Sequence, residues 1–404
     1  MKKLTALVII VLAFAGSHQA SAQHSFSPFG NWRGVFIYRD SIHVPFNFEI
    51  AGKTIKEAKV YFINAAERFD GGSLKIKSDS LFIALDQFDN ELAFKINGQT
   101  LKGVLRKQDG SGVPIPVEAA KGKNRFLLTG LKHPEGDITG TYDIVSANGD
   151  STVGLFTQKG NKLTATFLSI TGDSRYLEGT VEGRSFYLSS FIGSSPAYYK
   201  GTFDKGIIHG EQVGIRGSRS FKGYENDEAR LPDLYSLTYL KQGYNRFNFS
   251  FPDLHGKQVS LSDDKYKNKV VIIAITGSWC PNCMDETMFL SPWYKKNRDR
   301  GVEVVAIHYE RKDDTAFARK AIDRYRQKFD IRYDQVFGGV ADKQYVANSL
   351  PSLNTFLSFP TTIFISKKGE VAKIHTGYTG PATGKFYDEF VKEFNREVDE
   401  LVKE

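Results

Sequence analysis

Residues 269–286 read KVVIIAITGSWCPNCMDE, an unbroken apolar run that passes through a Gly-Ser turn into the chain's only two cysteines, Cys280 and Cys283. A strand apolar at every position, rather than at alternate ones, is buried on both faces and belongs to a sheet covered by helices. The segment that follows, MDETMFLSPWYKKNRD, reads as a helix with Pro292 as an expected kink. The cysteines therefore fall on a strand–turn–helix junction.

The grammar around that junction is α/β. VEVVAIHY is a second buried strand, and DDTAFARKAIDRYRQKF is helical, with Phe317, Ala321 and Tyr325 on one stripe. ADKQYVANSLPSLNTF gives a further helix that Pro351 must end or bend. TTIFIS and VAKIHTG flank Lys367-Lys368-Gly369 as a hairpin. The C-terminal segment is an amphipathic helix with Phe390, Phe394, Val398 and Leu401 along one side. Residues 247–404 are thus expected to form one α/β domain with a parallel-centred sheet.

Upstream the pattern changes. Residues 23–220 are built from short alternating segments broken by Gly, Asn and Asp, such as NWRGVFIYRD and YLEGTVEGRSFYLSSF. Period-two patterning with a turn every ten or so residues predicts an antiparallel β barrel or sandwich, as one large domain or two small ones. His43, His133 and His209 are scattered without metal-ligand spacing, so this half is expected to fold by itself and to carry no catalytic group. A ligand cavity inside a barrel stays open as an alternative. The charged, proline-containing stretch 221–246 reads as a linker, partly packed, that leads into a new unit.

Residues 1–22 have the form of a secretory leader. Lys2 and Lys3 precede an apolar core from Leu4 to Ala15 that is short for a membrane span, and Ala20-Ser21-Ala22 offers small residues for cleavage. The expected location is the periplasm. The net charge of +8 falls to +6 without those two lysines, and it is scattered rather than clustered, which argues against nucleic-acid binding.

An exported chain of 404 residues has little need of a staple between positions three apart, because so small a loop removes little unfolded-chain entropy. Redox chemistry is the better use of the pair. Unpaired N–H donors at a helix N-terminus stabilise a thiolate, and can bring a thiol of pKa about 8.5 down to roughly 3.5–7.5. Cys280, first on the helix, would attack, and Cys283, one turn on, would resolve the mixed disulfide.

The segments FSFPDLHGKQVSLSDDKYKNKVVIIAITGSWCPNCMDE and SFPTTIFISKKGEVAKIHTG resemble the TlpA/ResA group of exported, thioredoxin-fold thiol–disulfide oxidoreductases over about residues 245–404. The β-rich half loosely resembles the N-terminal regions of exported members of bacteroidete type. The resemblance implies that Trp279-Cys280-Pro281-Asn282-Cys283 is the active-site motif and that Pro360 is cis and faces the disulfide. It also implies that Glu286 serves near the resolving thiol, with Trp279 shielding the site. Ala274 stands where thioredoxin carries a buried acid, which makes Glu286 the candidate for proton transfer. Met288 replaces a proline found in many members. The implied partners are protein disulfide substrates and a membrane thiol donor, with no cofactor and no metal. One alternative is a peroxiredoxin-like peroxidase, but that chemistry wants a hydroxyl three residues before Cys280, where Gly277 stands. Another is a copper carrier using the cysteines with His308 or His375, or a ligand-binding protein with a vestigial redox domain.

Overall fold

The computed structural model describes residues 26–39, 42–126, 130 and 132–404; the leader expected at 1–22 lies outside them. Eight antiparallel strands from Gly30–Tyr38 to Ile115–Lys121 close into a barrel, the first pairing with both the second and the last. Along Gly30–Tyr38, Trp32, Phe36 and Tyr38 point inward, while the alternate residues are half-buried. Trp32, Phe36, Phe46, Phe48, Phe62 and Phe94 fill the interior with side chains, as expected of a barrel this small.

A second antiparallel sheet runs from Gly140–Ser146 to Ser218–Glu225. Its strand Ser151–Lys159 pairs with both Gly140–Ser146 and Lys162–Ser169, so this sheet also closes on itself. Its core gathers Tyr142, Phe156, Phe167, Phe186, Leu188 and Phe221. Phe191 of this body plugs the first barrel, 4.8 Å from Phe36, 5.1 Å from Phe46 and 4.7 Å from Phe62 between ring centroids. Buried Arg125 seals the joint by donating to the Ser189 carbonyl at 2.8 Å and to Asn64 Oδ1 at 3.0 Å. The β-rich half is therefore an antiparallel barrel structure.

The C-terminal part is a thioredoxin-like α/β domain. Its elements are β1 (Val270–Thr276), α1 (Pro281–Asn297), β2 (Val302–Glu310), α2 (Thr315–Lys328), β3 (Asp334–Val340), α3 (Lys343–Ser349), β4 (Thr361–Ile365), β5 (Val371–Thr376) and α4 (Lys385–Lys403). The sheet order is β3-β2-β1-β4-β5, with β1, β2 and β3 parallel and β4 and β5 antiparallel to their neighbours. Every residue of β1 is buried. Val270, Ile272 and Ala274 share a core with Met284, Leu290, Phe390, Phe394 and Val398 of α1 and α4; Val271, Ile273 and Ile275 share the opposite one with Val346 of α3.

Two local expectations change. Residues 221–225 complete the strand Ser218–Glu225 rather than begin a linker, because Phe221 and Gly223 pair into the closing sheet. The rest of the stretch packs down: Thr238 bonds Thr376 at 2.8 Å, and the Thr376 N–H donates to the Leu234 carbonyl at 3.1 Å. On α2, Phe317 is only half-buried, and the inward stripe is Ala318, Ala321, Ile322 and Tyr325.

Candidate active site

Cys280 and Cys283 form a disulfide with Cα atoms 5.2 Å apart. Cys280 is the N-cap of α1: its sulfur accepts from the Cys283 N–H at 3.2 Å, and Pro281 occupies the first turn, where a missing N–H costs nothing. That donor, with the positive end of the helix behind it, would stabilise a Cys280 thiolate once the disulfide opens. Cys280 is 5% exposed and Cys283 is 0%, which makes the first cysteine the more accessible of the two.

The Phe359–Pro360 peptide bond is cis, and the Phe359 carbonyl oxygen lies 3.6 Å from Cys280 Sγ. Trp279 sits beside it. Its indole N–H donates to the Tyr309 carbonyl at 3.0 Å, its ring meets Phe359 edge-on at 5.5 Å, and Arg311 lies over its face at 5.2 Å. Trp279, Cys280, Cys283 and the Pro360 segment are thus brought together. Gly277 permits this turn, since a Cβ there would stand 2.5 Å from Trp279 Nε1 and 2.8 Å from the Tyr309 carbonyl.

Glu286 is buried on α1. Burial pushes its carboxyl up to about 7, and the Thr362 hydroxyl, which donates to it, pulls the other way. Thr362 is the cross-strand partner of Ala274, so the Glu286 carboxyl lies over the place where the resemblance finds an acid missing. Asp285, also buried, is pushed up to about 7 by desolvation against the pull of Arg175.

His308 and His375 are engaged elsewhere: His308 Nε2 pairs with Gln335 Oε1 at 2.7 Å, and His375 Nδ1 lies 3.1 Å from the Gly377 carbonyl. Among the described residues no group of three His, Cys, Asp or Glu side chains converges as a metal site.

The β-rich half does not stand apart from this centre. The Thr171 carbonyl accepts from Asn282 Nδ2 at 3.4 Å and from Ser358 Oγ at 3.1 Å. Gln87 of the first barrel donates to the Ser278 carbonyl. Arg175 donates to the Pro281 carbonyl at 3.2 Å and pairs with Asp285 and Glu67. No local pattern announces these residues; Arg175 and Pro281 lie 106 positions apart.

Fold and site together define a thioredoxin-fold domain of the thiol–disulfide oxidoreductase class. Residues 242–388 match the Redoxin family. The chain is 26% identical over 179 residues to the thiol-disulfide oxidoreductase ResA of Bacillus cereus (strain ATCC 10987 / NRS 248), covering 44% of this chain and 88% of that protein. It is 28% identical over 139 residues to ResA of Bacillus subtilis (strain 168), covering 34% and 69% respectively. Among solved structures, a thiol-disulfide oxidoreductase from Bacteroides fragilis NCTC 9343 is 21% identical, with 37% of this chain and 99% of that one covered and a TM-score of 0.29.

Proposed function

We propose that this protein is a periplasmic thiol–disulfide oxidoreductase that reduces protein disulfides through Cys280 and Cys283. The observation that carries the reading is Cys280 at the N-cap of α1, disulfide-linked to Cys283 and beside the Pro360 segment. The Cys280 thiolate attacks a substrate sulfur, and the first substrate sulfur leaves as a thiolate that takes a proton from water. Cys283 then loses its proton, with Glu286 as the proposed acceptor, and attacks Cys280 Sγ. The second substrate thiolate departs, and two electrons have passed from the dithiol to the substrate. Trp279 and Pro360 are proposed to frame the substrate strand.

The periplasmic part rests on the leader-like residues 1–22; among the described residues no helix is long and apolar enough to cross a membrane. A dithiol kept reduced in an oxidising compartment requires a membrane thiol donor, which we include as a partner. The reductive direction follows the resemblance to the TlpA/ResA group, and Pro281 and Asn282, between the thiols, add no basic side chain of their own. It predicts a potential near that of thioredoxin, about −270 mV; a value near about −120 mV would make the protein an oxidant instead. Cys280→Ser should abolish insulin reduction, and Cys283→Ser should trap substrates as mixed disulfides. Undiminished turnover of Cys280→Ser would overturn the assignment.

A further inference from the structure

The redox helix carries a charge contact that thiol exchange alone does not require. Arg175 follows the two-residue strand Gly172–Asp173 of the second barrel and is buried. Its Nη1 donates to the Pro281 carbonyl, between the two cysteines, at 3.2 Å and pairs with the carboxylate of Asp285, two residues past Cys283. Its Nη2 donates to Glu67 of the first barrel. Asp173 fixes the loop on both sides, accepting from the Arg175 N–H at 2.6 Å and from the Gly380 N–H at 2.6 Å. One guanidinium thus joins both barrels to the first turn of α1.

We propose that Arg175 is a positioning residue of the redox centre, which acts through Pro281 and Asp285 to favour the Cys280 thiolate. This rests on Cys280 and Cys283 being the redox pair. Asp285 lies two residues past the second cysteine, and its carboxylate, left alone, would disfavour a further negative charge beside it. Arg175 offsets Asp285, and its donation to the Pro281 carbonyl places positive charge one residue from the nucleophile. Its Nε has no hydrogen-bond partner, so the guanidinium is held by the acids and the Pro281 carbonyl rather than by a full set of bonds. The effect is strong because the site is dry and its charges are poorly screened. The charged groups facing the guanidinium are Asp285, Glu67, Asp173 and Lys328.

The sign follows from the charges. Without Arg175 the thiolate is less stable, the reduced state loses ground, and the disulfide is favoured. Without Glu67, Arg175 is less compensated and the thiolate gains. A merely structural role would send both changes the same way, through loosening of the joint.

The test equilibrates the full chain with reduced and oxidised glutathione and follows Cys280 alkylation against pH. Arg175→Gln should shift the equilibrium toward disulfide by about tenfold, or about 30 mV more reducing, and raise the pH midpoint of alkylation. Glu67→Gln should move both readings the opposite way, and Arg175→Lys should stay closer to the parent than Arg175→Gln. Should Arg175→Gln fail to fold, Glu67→Gln decides alone. No shift, or shifts of the same sign for Gln at both positions, would overturn the proposal. A parent protein whose two cysteines never exchange with glutathione would instead overturn the oxidoreductase reading beneath it.

Discussion

A carboxylic acid without a cation beside it, enclosed by protein, keeps its proton at a pH where the unfolded chain gives it up. Glu286 is that case: its ordinary value of 4.5 rises to about 7 through burial. The folded-state value is the higher one, so the stability tied to Glu286 is fully present below 4.5 and is lost as pH rises through about 7. At about 1.4 kcal/mol per unit, the loss is on the order of 3 kcal/mol. Glu286→Gln should flatten urea stability between pH 5 and pH 8, gaining at the alkaline end, with Asp285 left to supply part of the slope. The same variant should alter the pH profile of disulfide exchange if the carboxyl takes the Cys283 proton. An unchanged stability slope would mean that Glu286 is ionised in the folded protein.

Elements differ in how much of their position is written locally. Between β1 and α1 the turn depends on Gly277, because a methyl group there meets the Trp279 indole at 2.5 Å. Gly277→Ala should cost about 1–3 kcal/mol, the usual range for overpacking, and should change the near-ultraviolet circular dichroism as Trp279 moves. Slower insulin reduction should accompany it; unaltered stability and dichroism would show that the indole does not depend on this turn. β1 and α4 were legible in the sequence because their burial repeats at short spacing: every residue of β1 is apolar or β-branched, and Phe390, Phe394, Val398 and Leu401 are all buried on α4. β3 was not, since Gly338 and Gly339 interrupt a strand of only seven residues, and Gly338 is bare because the Tyr309 ring lies against it. The Cys280, Cys283 and Pro360 motifs were legible from spacing and resemblance. Closure of each barrel was not, because it depends on register between strands far apart in sequence.

At the scale of the molecule, the β-rich half and the redox domain meet on the face where Cys280 emerges, and contacts of such long sequence separation leave no local trace. Thr171 holds Asn282 and Ser358 from one side, while Gln87, the Phe88 carbonyl and Asp109 engage Ser278, Arg311 and Lys312 from the other. Gly172 lies so close that a Cβ on it would stand 2.0 Å from Asn282 Nδ2. Cys280 is only 5% exposed beneath these loops, which hinders a bulky reagent more than a small one. Bulky partners are therefore expected to react through a locally opened form, whose population is set by the strength of this joint. Gly172→Ala should push the loop off Asn282, and the positive φ of 125° adds strain for any side chain. In the reduced protein, an opening easier by about 1.4 kcal/mol should speed alkylation of Cys280 by a polymer-linked maleimide about tenfold while changing the iodoacetamide rate little. Equal acceleration of both reagents would mean that the substitution altered the thiol itself. No acceleration of either would mean that the barrels leave the site open to large partners as it stands.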